Sequence, residues 1–192
     1  MTSIVQLLLP VLRATTTMSR FTEELRLLAG DQWDRVIGHT FTKELAAGTI
    51  HRRVLERYLI QDFRFLDSFV ILLASIIAKV RTLEDRIPGC TFLATITGKE
   101  NTYFERAFQA LGISDIERTS TPDAPCTIQF CHLMKDVAFH GTLAEKLAVI
   151  VVCEWSYQSW GQIVSGDTVR DDFICYEWVD LHCGASFDAV VQ

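Results

Sequence analysis

Leu147-Ala148-Val149-Ile150-Val151-Val152-Cys153-Glu154-Trp155-Ser156-Tyr157-Gln158-Ser159-Trp160-Gly161 is the stretch whose reading decides the fold. Its apolar first half reads as the interior part of a buried helix, and polar tips then arrive. On a helix advancing about 100° per residue, Val149, Cys153, Tyr157 and Trp160 fall within one narrow sector. A thiol therefore sits one turn below a phenol, on the face turned toward the protein interior. That suits a nucleophile beside a hydrogen-bonding partner. It also suits plain packing, because free cysteine is among the most buried residue types. Taken alone, Cys153 favours packing, since most buried cysteines are inert. Glu154 points about 100° away from Cys153 around the helix axis.

Immediately upstream, Thr142-Leu143-Ala144-Glu145 is a capping box that starts this helix. His51 to Val80 carries a second long pattern, with Leu55, Tyr58, Leu59, Phe65, Leu66, Phe69, Leu73, Ile76 and Ile77 three and four residues apart. Asp62 lies in the middle of that stripe, with Tyr58 and Leu66 rotated from it by about 40° and Phe69 by about 20°. A carboxylate on a buried face costs several kcal/mol unless neutralised, paired or facing a polar cavity. Two readings balance: Asp62 pairs with a distant arginine or histidine, or it lines a pocket and binds a ligand.

The other segments are helical as well. They run from Phe21 to Gly38 with a weak point at Gly30, from Phe41 to Ala47, and from Cys90, after an interruption at Pro88-Gly89, to Leu111. Ser114 to Pro125 reads as a loop, Cys126 to His140 as a helix, and Asp171 to Val191 as a last helix. The fold class is all-α, with residues 19–192 as one helical domain. Residues 1–18 stand apart as an N-terminal extension expected to be disordered. A signal peptide would carry its positive charge before the apolar Leu7–Leu12 run, so the match is poor. Met18-Ser19-Arg20-Phe21 reads like a natural start; a weak targeting peptide and a genuine arm are the alternatives.

The chain has 192 residues, 49% hydrophobic and 22% charged, which suits one compact core. A net charge of −6 supplies no basic face for a nucleic acid. No apolar run approaches the roughly 20 residues of a membrane span. The six cysteines form no C-x-x-C pair and no zinc-ligand spacing, so they read as reduced thiols in a cytoplasmic setting, with no metal expected. The five histidines form no Glu-x-x-His pairing, which counts against a metal-dependent oxygenase.

Three collinear blocks carry a family resemblance. Cys153, Trp155, Tyr157 and Gly161 resemble the Cys-x-Trp-x-Tyr…Gly motif of the TenA family of thiaminase II and aminopyrimidine aminohydrolases. His39-Thr40-Phe41 with Gly48-Thr49-Ile50, and Tyr58-Leu59-Ile60-Gln61-Asp62, resemble two further family segments. The resemblance runs in register from about Phe21 onward and implies a haem-oxygenase-like helical bundle. It also implies roles. Cys153 stands at the nucleophile position, Asp62 at the acid that hydrogen-bonds the pyrimidine, and Tyr157 at the tyrosine one turn after the nucleophile. Phe65 replaces a pyrimidine-contacting tyrosine, His182 replaces another tyrosine, and Phe69 joins Phe65 in substrate stacking. Family chains continue through further helices bearing a glutamate, so the resemblance implies a bundle without those terminal helices.

The chemistry implied is hydrolysis of 4-amino-5-aminomethyl-2-methylpyrimidine to its hydroxymethyl form, or cleavage of thiamin, in thiamin salvage and without a cofactor. A thiolate adds to the electron-poor ring, the substituent on the exocyclic methylene leaves, and water completes the reaction, with Asp62 making the ring more electrophilic. An apolar stripe raises the Cys153 pKa, so activation needs a hydrogen-bond donor, and Tyr157 is expected to supply it. The competing reading is a non-catalytic pyrimidine- or thiamin-binding protein on the same fold. The family commonly forms homotetramers, so a homo-oligomer, tetramer or dimer, is expected.

Overall fold

The computed structural model describes residues 20–191, so the N-terminal extension expected at 1–18 lies outside the described residues. Among the described residues, those up to Arg35 and those from Val36 onward form two compact units. In the first, α1 (Phe21–Ala29) ends at Gly30, whose φ of 48° suits a residue without a Cβ, and α2 begins at Asp31 and runs to Ile37. The weak point in the expected single helix is thus a break.

The second unit contains α3 (Thr40–Ala46), α4 (Arg52–Lys79), α5 (Leu83–Thr95), a π-helical turn (Ile96–Glu100), α6 (Asn101–Leu111), α7 (Asp115–Ser120), α8 (Pro125–His140), α9 (Leu143–Val164), a 3-10 turn (Ser165–Asp167), α10 (Phe173–Leu181) and α11 (Ala185–Val191). No strand occurs among the described residues. The architecture is the all-α, haem-oxygenase-like bundle. Its axis is α4, which packs along α8 and against α5 and α9. Leu59 and Leu72 of α4 are wholly buried with Leu45, Phe104, Met134 and Trp178. Each such side chain contributes about 1.5–3 kcal/mol by leaving water.

Local chemistry explains the element boundaries. His39 and His51 cap α3 and α4, each accepting through Nδ1 from the backbone N–H two residues on. Thr142 and Glu145 close the expected capping box at the start of α9.

Three expectations need correction. Pro88-Gly89 does not interrupt a helix: α5 starts at Leu83 behind the Thr82 cap and runs through Pro88. The proline lies early in the helix, where it forfeits one bond to the first turn. Gly89 is required by packing, because a Cβ there would lie 2.7 Å from Ile77 Cγ1 on α4. Within the expected loop at Ser114 to Pro125, Ser114 and Glu117 form a second capping box and start α7. The last helix is two helices, divided at Gly184, whose φ is 85°.

Candidate active site

Asp62 enters the bundle from the buried stripe of α4, where Tyr157 of α9 meets it. The Tyr157 hydroxyl donates to Asp62 Oδ1 at 3.1 Å and lies 3.0 Å from the Tyr58 hydroxyl. Trp178 Nε1–H donates to Tyr58 at 3.1 Å. An indole N–H can only donate and an ionised carboxylate only accepts. The chain therefore has one direction, from Trp178 to Tyr58 to Tyr157 to Asp62, with each hydroxyl accepting once and donating once. His182 follows α10 and lies against Tyr157, with ring centroids 4.6 Å apart. Its Nδ1 sits 2.7 Å from the Trp178 carbonyl oxygen, so Nδ1 carries a proton and neutral His182 has a bare Nε2. Gly161 makes this approach possible: a Cβ there would lie 2.5 Å from the His182 carbonyl oxygen.

Asp62, Phe65 and Tyr157 line two cavities at once. The outer cleft adds Tyr58, Gln61, Cys126, Phe130, Cys153 and Ser156, and has about 400 Å³ open to water centres. Phe65 and Phe130 stack in it, with centroids 5.3 Å apart and planes 25° apart. The inner cavity adds Phe69, Phe92, Glu100, Glu154, Trp178 and His182, and has about 20 Å³ by the same measure. One water needs about 10–15 Å³. The inner cavity therefore suits one or two waters, whereas the outer cleft has room for a heteroaromatic ring.

The electrostatics follow from burial. Desolvation pushes Asp62 up to about 7, against the opposing Tyr157 hydrogen bond. It pushes Glu100 up to about 8, with help from the charge of Asp62, and Glu154 well above the carboxylate range, with help from Glu100 and Asp62. The Cys153 thiol is raised by burial first, then by Glu154 and Asp62. His182 is lowered to about 4 by burial, against its bond to the Trp178 carbonyl. Among the described residues, no lysine or arginine is one of the groups acting on these carboxyls. At neutral pH Cys153 is a thiol, and Asp62 is available in both protonation states.

Of the residues singled out in the sequence, Cys153 lies on the outer cleft and Asp62, Phe65 and Tyr157 on both spaces. Phe69 and His182, expected to contact substrate, line only the water-sized inner cavity, so the stacking expected of Phe69 passes to Phe130. Asp62 pairs with a tyrosine, not with an arginine or histidine. One expected contact is replaced. The Tyr157 hydroxyl is occupied by Asp62 and Tyr58, so it does not serve the Cys153 thiol. Glu154 does lie away from Cys153 around the helix, and that rotation carries it into the inner cavity. Sequence reasoning missed Glu100, Phe130 and Trp178. A glutamate after Gly98-Lys99 reads as solvated, and only the π turn brings it inward. Phe130 sits within an apolar helix that offers no polar contrast to mark it. The described residues hold no cluster of three His, Cys, Asp or Glu side chains placed for a metal, and no helix among them is long and apolar enough to cross a membrane.

Known proteins resemble this chain in sequence and in fold. The sequence model described as "TENA/THI-4/PQQC family" matches residues 29–192. An aminopyrimidine aminohydrolase of Halalkalibacterium halodurans is 24% identical over 156 residues, covering 81% of this chain and 70% of that protein. One from Bacillus subtilis is 24% identical over 156 residues, covering 74% of this chain and 61% of that protein. Among solved structures, a TenA homologue from Pyrococcus furiosus superposes with a TM-score of 0.79 at 23% identity, covering 90% of this chain and 80% of that one.

Proposed function

Because the chain belongs to the TENA/THI-4/PQQC family, we propose that it is an aminopyrimidine hydrolase of thiamin salvage. Its substrate is 4-amino-5-aminomethyl-2-methylpyrimidine, converted to the hydroxymethyl compound with release of ammonia; thiamin is the alternative substrate. The observation that carries this reading is that Cys153 and Asp62 face one ring-sized cleft walled by the stacked Phe65 and Phe130. The relatives named aminopyrimidine aminohydrolase support the reaction class.

The pyrimidine ring lies along the Phe65–Phe130 wall. The tyrosine chain engages Asp62 Oδ1, and the other carboxyl oxygen meets the ring nitrogen and its amino group. Cys153 Sγ attacks the ring as Asp62 protonates the ring nitrogen, and the thiol proton leaves with the departing amine as ammonia. Water adds to the exocyclic methylene, the S–C bond breaks, and the proton lost by water restores the thiol. Asp62 near neutrality serves because it can both give and take a proton. The protein works as a cytoplasmic homo-oligomer, tetramer or dimer, and exposed apolar side chains such as Phe139 and Val152 are available for such contacts. Ammonia release from the aminomethyl compound by the purified chain, and its loss in Cys153→Ser, tests the reading; a wild-type chain that releases none overturns it.

One observation favours a second reading, a pyrimidine-binding protein without turnover. Burial holds Cys153 as a thiol, and its neighbour Tyr157 is engaged elsewhere. Calorimetry showing tight hydroxymethylpyrimidine binding, with no ammonia from the aminomethyl compound, would select it.

A further inference from the structure

The hydrolase reading leaves the inner cavity unused. Three carboxyls from three elements face it: Asp62 from α4, Glu100 from the π turn and Glu154 from α9. Glu154 is only 8% exposed and lines this cavity, and no hydrogen bond is among the groups acting on its carboxyl. His182 is 5% exposed, and with Nδ1 committed to the Trp178 carbonyl its bare Nε2 is the second unpartnered polar group in the same cavity. A buried carboxyl without a cation or donor is costly unless it carries a proton and meets water. Water is what a cavity of about 20 Å³ admits, so the space is too small to be a second substrate subsite.

We propose that Glu100 and Glu154, through water in the inner cavity, pass a proton to Asp62 and take it back during each turnover. As the bond from Cys153 Sγ to the ring forms, Asp62 gives its proton to the ring nitrogen. Glu100 releases its proton to the cavity water, which reprotonates Asp62, and Glu100 becomes a carboxylate that shares the proton of Glu154. When the thiolate leaves, Asp62 hands its proton back through the water to Glu100 and takes the ring-nitrogen proton, so the chain resets. No proton is consumed and no co-reactant is needed. Glu100 and Glu154 touch neither substrate nor thiol, and they act through Asp62. The other titratable groups facing Asp62 are Tyr157 and Cys153 of α9, Tyr58 of α4, Tyr103 of α6 and His182.

This inference rests on the hydrolase reading. Its test is a pair of substitutions, Glu154→Gln and Glu100→Gln, which keep side-chain size and hydrogen bonding but remove the exchangeable acid. Each should leave hydroxymethylpyrimidine affinity within about threefold, lower kcat by about 10- to 100-fold, and move the pH profile of kcat. Infrared difference spectroscopy of the wild-type chain gives a readout that does not depend on either variant folding. A protonated-carboxyl band at neutral pH should shift when hydroxymethylpyrimidine binds. Folded variants with wild-type kcat and pH profile, or a wild-type chain with no such band, would overturn the relay alone. A wild-type chain that binds the pyrimidine but releases no ammonia overturns the hydrolase reading, and the turnover role falls with it.

Discussion

The outer cleft and the inner cavity share Asp62, Phe65 and Tyr157, yet they are built to opposite rules. The outer cleft is large, includes exposed Val152 and Cys126, and carries the thiol beside a stacked aromatic pair. The inner cavity is water-sized and concentrates carboxyls that no cation among the described residues neutralises. Consecutive residues of one helix supply the contrast. Cys153 and Glu154 differ by about 100° around α9, enough to deliver a thiol to one chamber and an acid to the other. A helix that borders two spaces can serve both without any extra loop, and Asp62 is where the two meet.

Removing the thiol breaks the comparison most severely. Cys153→Ser should reduce ammonia release by at least about a thousandfold, as expected when a nucleophile is lost. Its thermal midpoint should stay within a few degrees of the wild type, because the change is nearly isosteric. Retained turnover in that variant would show that the outer cleft does not work as proposed.

Next in size is an effect on packing between the two chambers. Gly161→Ala forces a methyl against the His182 carbonyl and should cost about 1–3 kcal/mol, read by denaturant melts. It should also weaken pyrimidine binding by displacing Tyr157, on which His182 rests.

The inner cavity has its own signature in pH. Asp62 and Glu100 have folded-state pKa values raised to about 7 and about 8, so the folded chain binds more protons than the unfolded one between their ordinary values and those pH values. Their contribution to stability is therefore complete below about pH 4 and is lost as pH rises through 7 to 8. His182 slopes the other way: its folded value is lowered to about 4, so its contribution grows as pH rises from about 4 to about 6.5. The clean comparison is between variants. Melts of Asp62→Asn and Glu100→Gln should lose less stability than wild type between pH 5 and pH 8.5, by on the order of 1–3 kcal/mol. Parallel curves would mean that these carboxyls are not held protonated.

Smallest, and a control for both chambers, is Thr142→Ala. Losing the cap of α9 should cost about 1 kcal/mol and leave ammonia release per folded molecule unchanged.

How much of this was legible beforehand depends on range. Helical period and capping chemistry are local, so α4 and α9 could be read from Leu55–Ile77 and from Thr142–Glu145. The stripe around Asp62 and the Cys153–Tyr157 spacing marked the centre of the site for the same reason. What escaped depended on partners distant in sequence. Gly89 looked like a breaker until Ile77 of α4 stood against it, and Tyr157 looked free to serve Cys153 until Tyr58 and Asp62 claimed it. Gly184 and the Ser114–Glu117 box were local signals, but the apolar residues on both sides of Gly184 masked the one and the polar, turn-rich stretch up to Pro125 masked the other.

The π turn at Ile96–Glu100 carries one residue more than an α-helical turn would. Tyr103 and Phe104 hold the following helix, which Glu100 adjoins, against Trp178, so deleting one residue from the turn would rotate the preceding α5 by about 100° and take Phe92 off the wall of the inner cavity. A one-residue gap at this point between two relatives is therefore no neutral drift in length. It marks a differently walled chamber beside Asp62, and it can be scored from aligned genes alone.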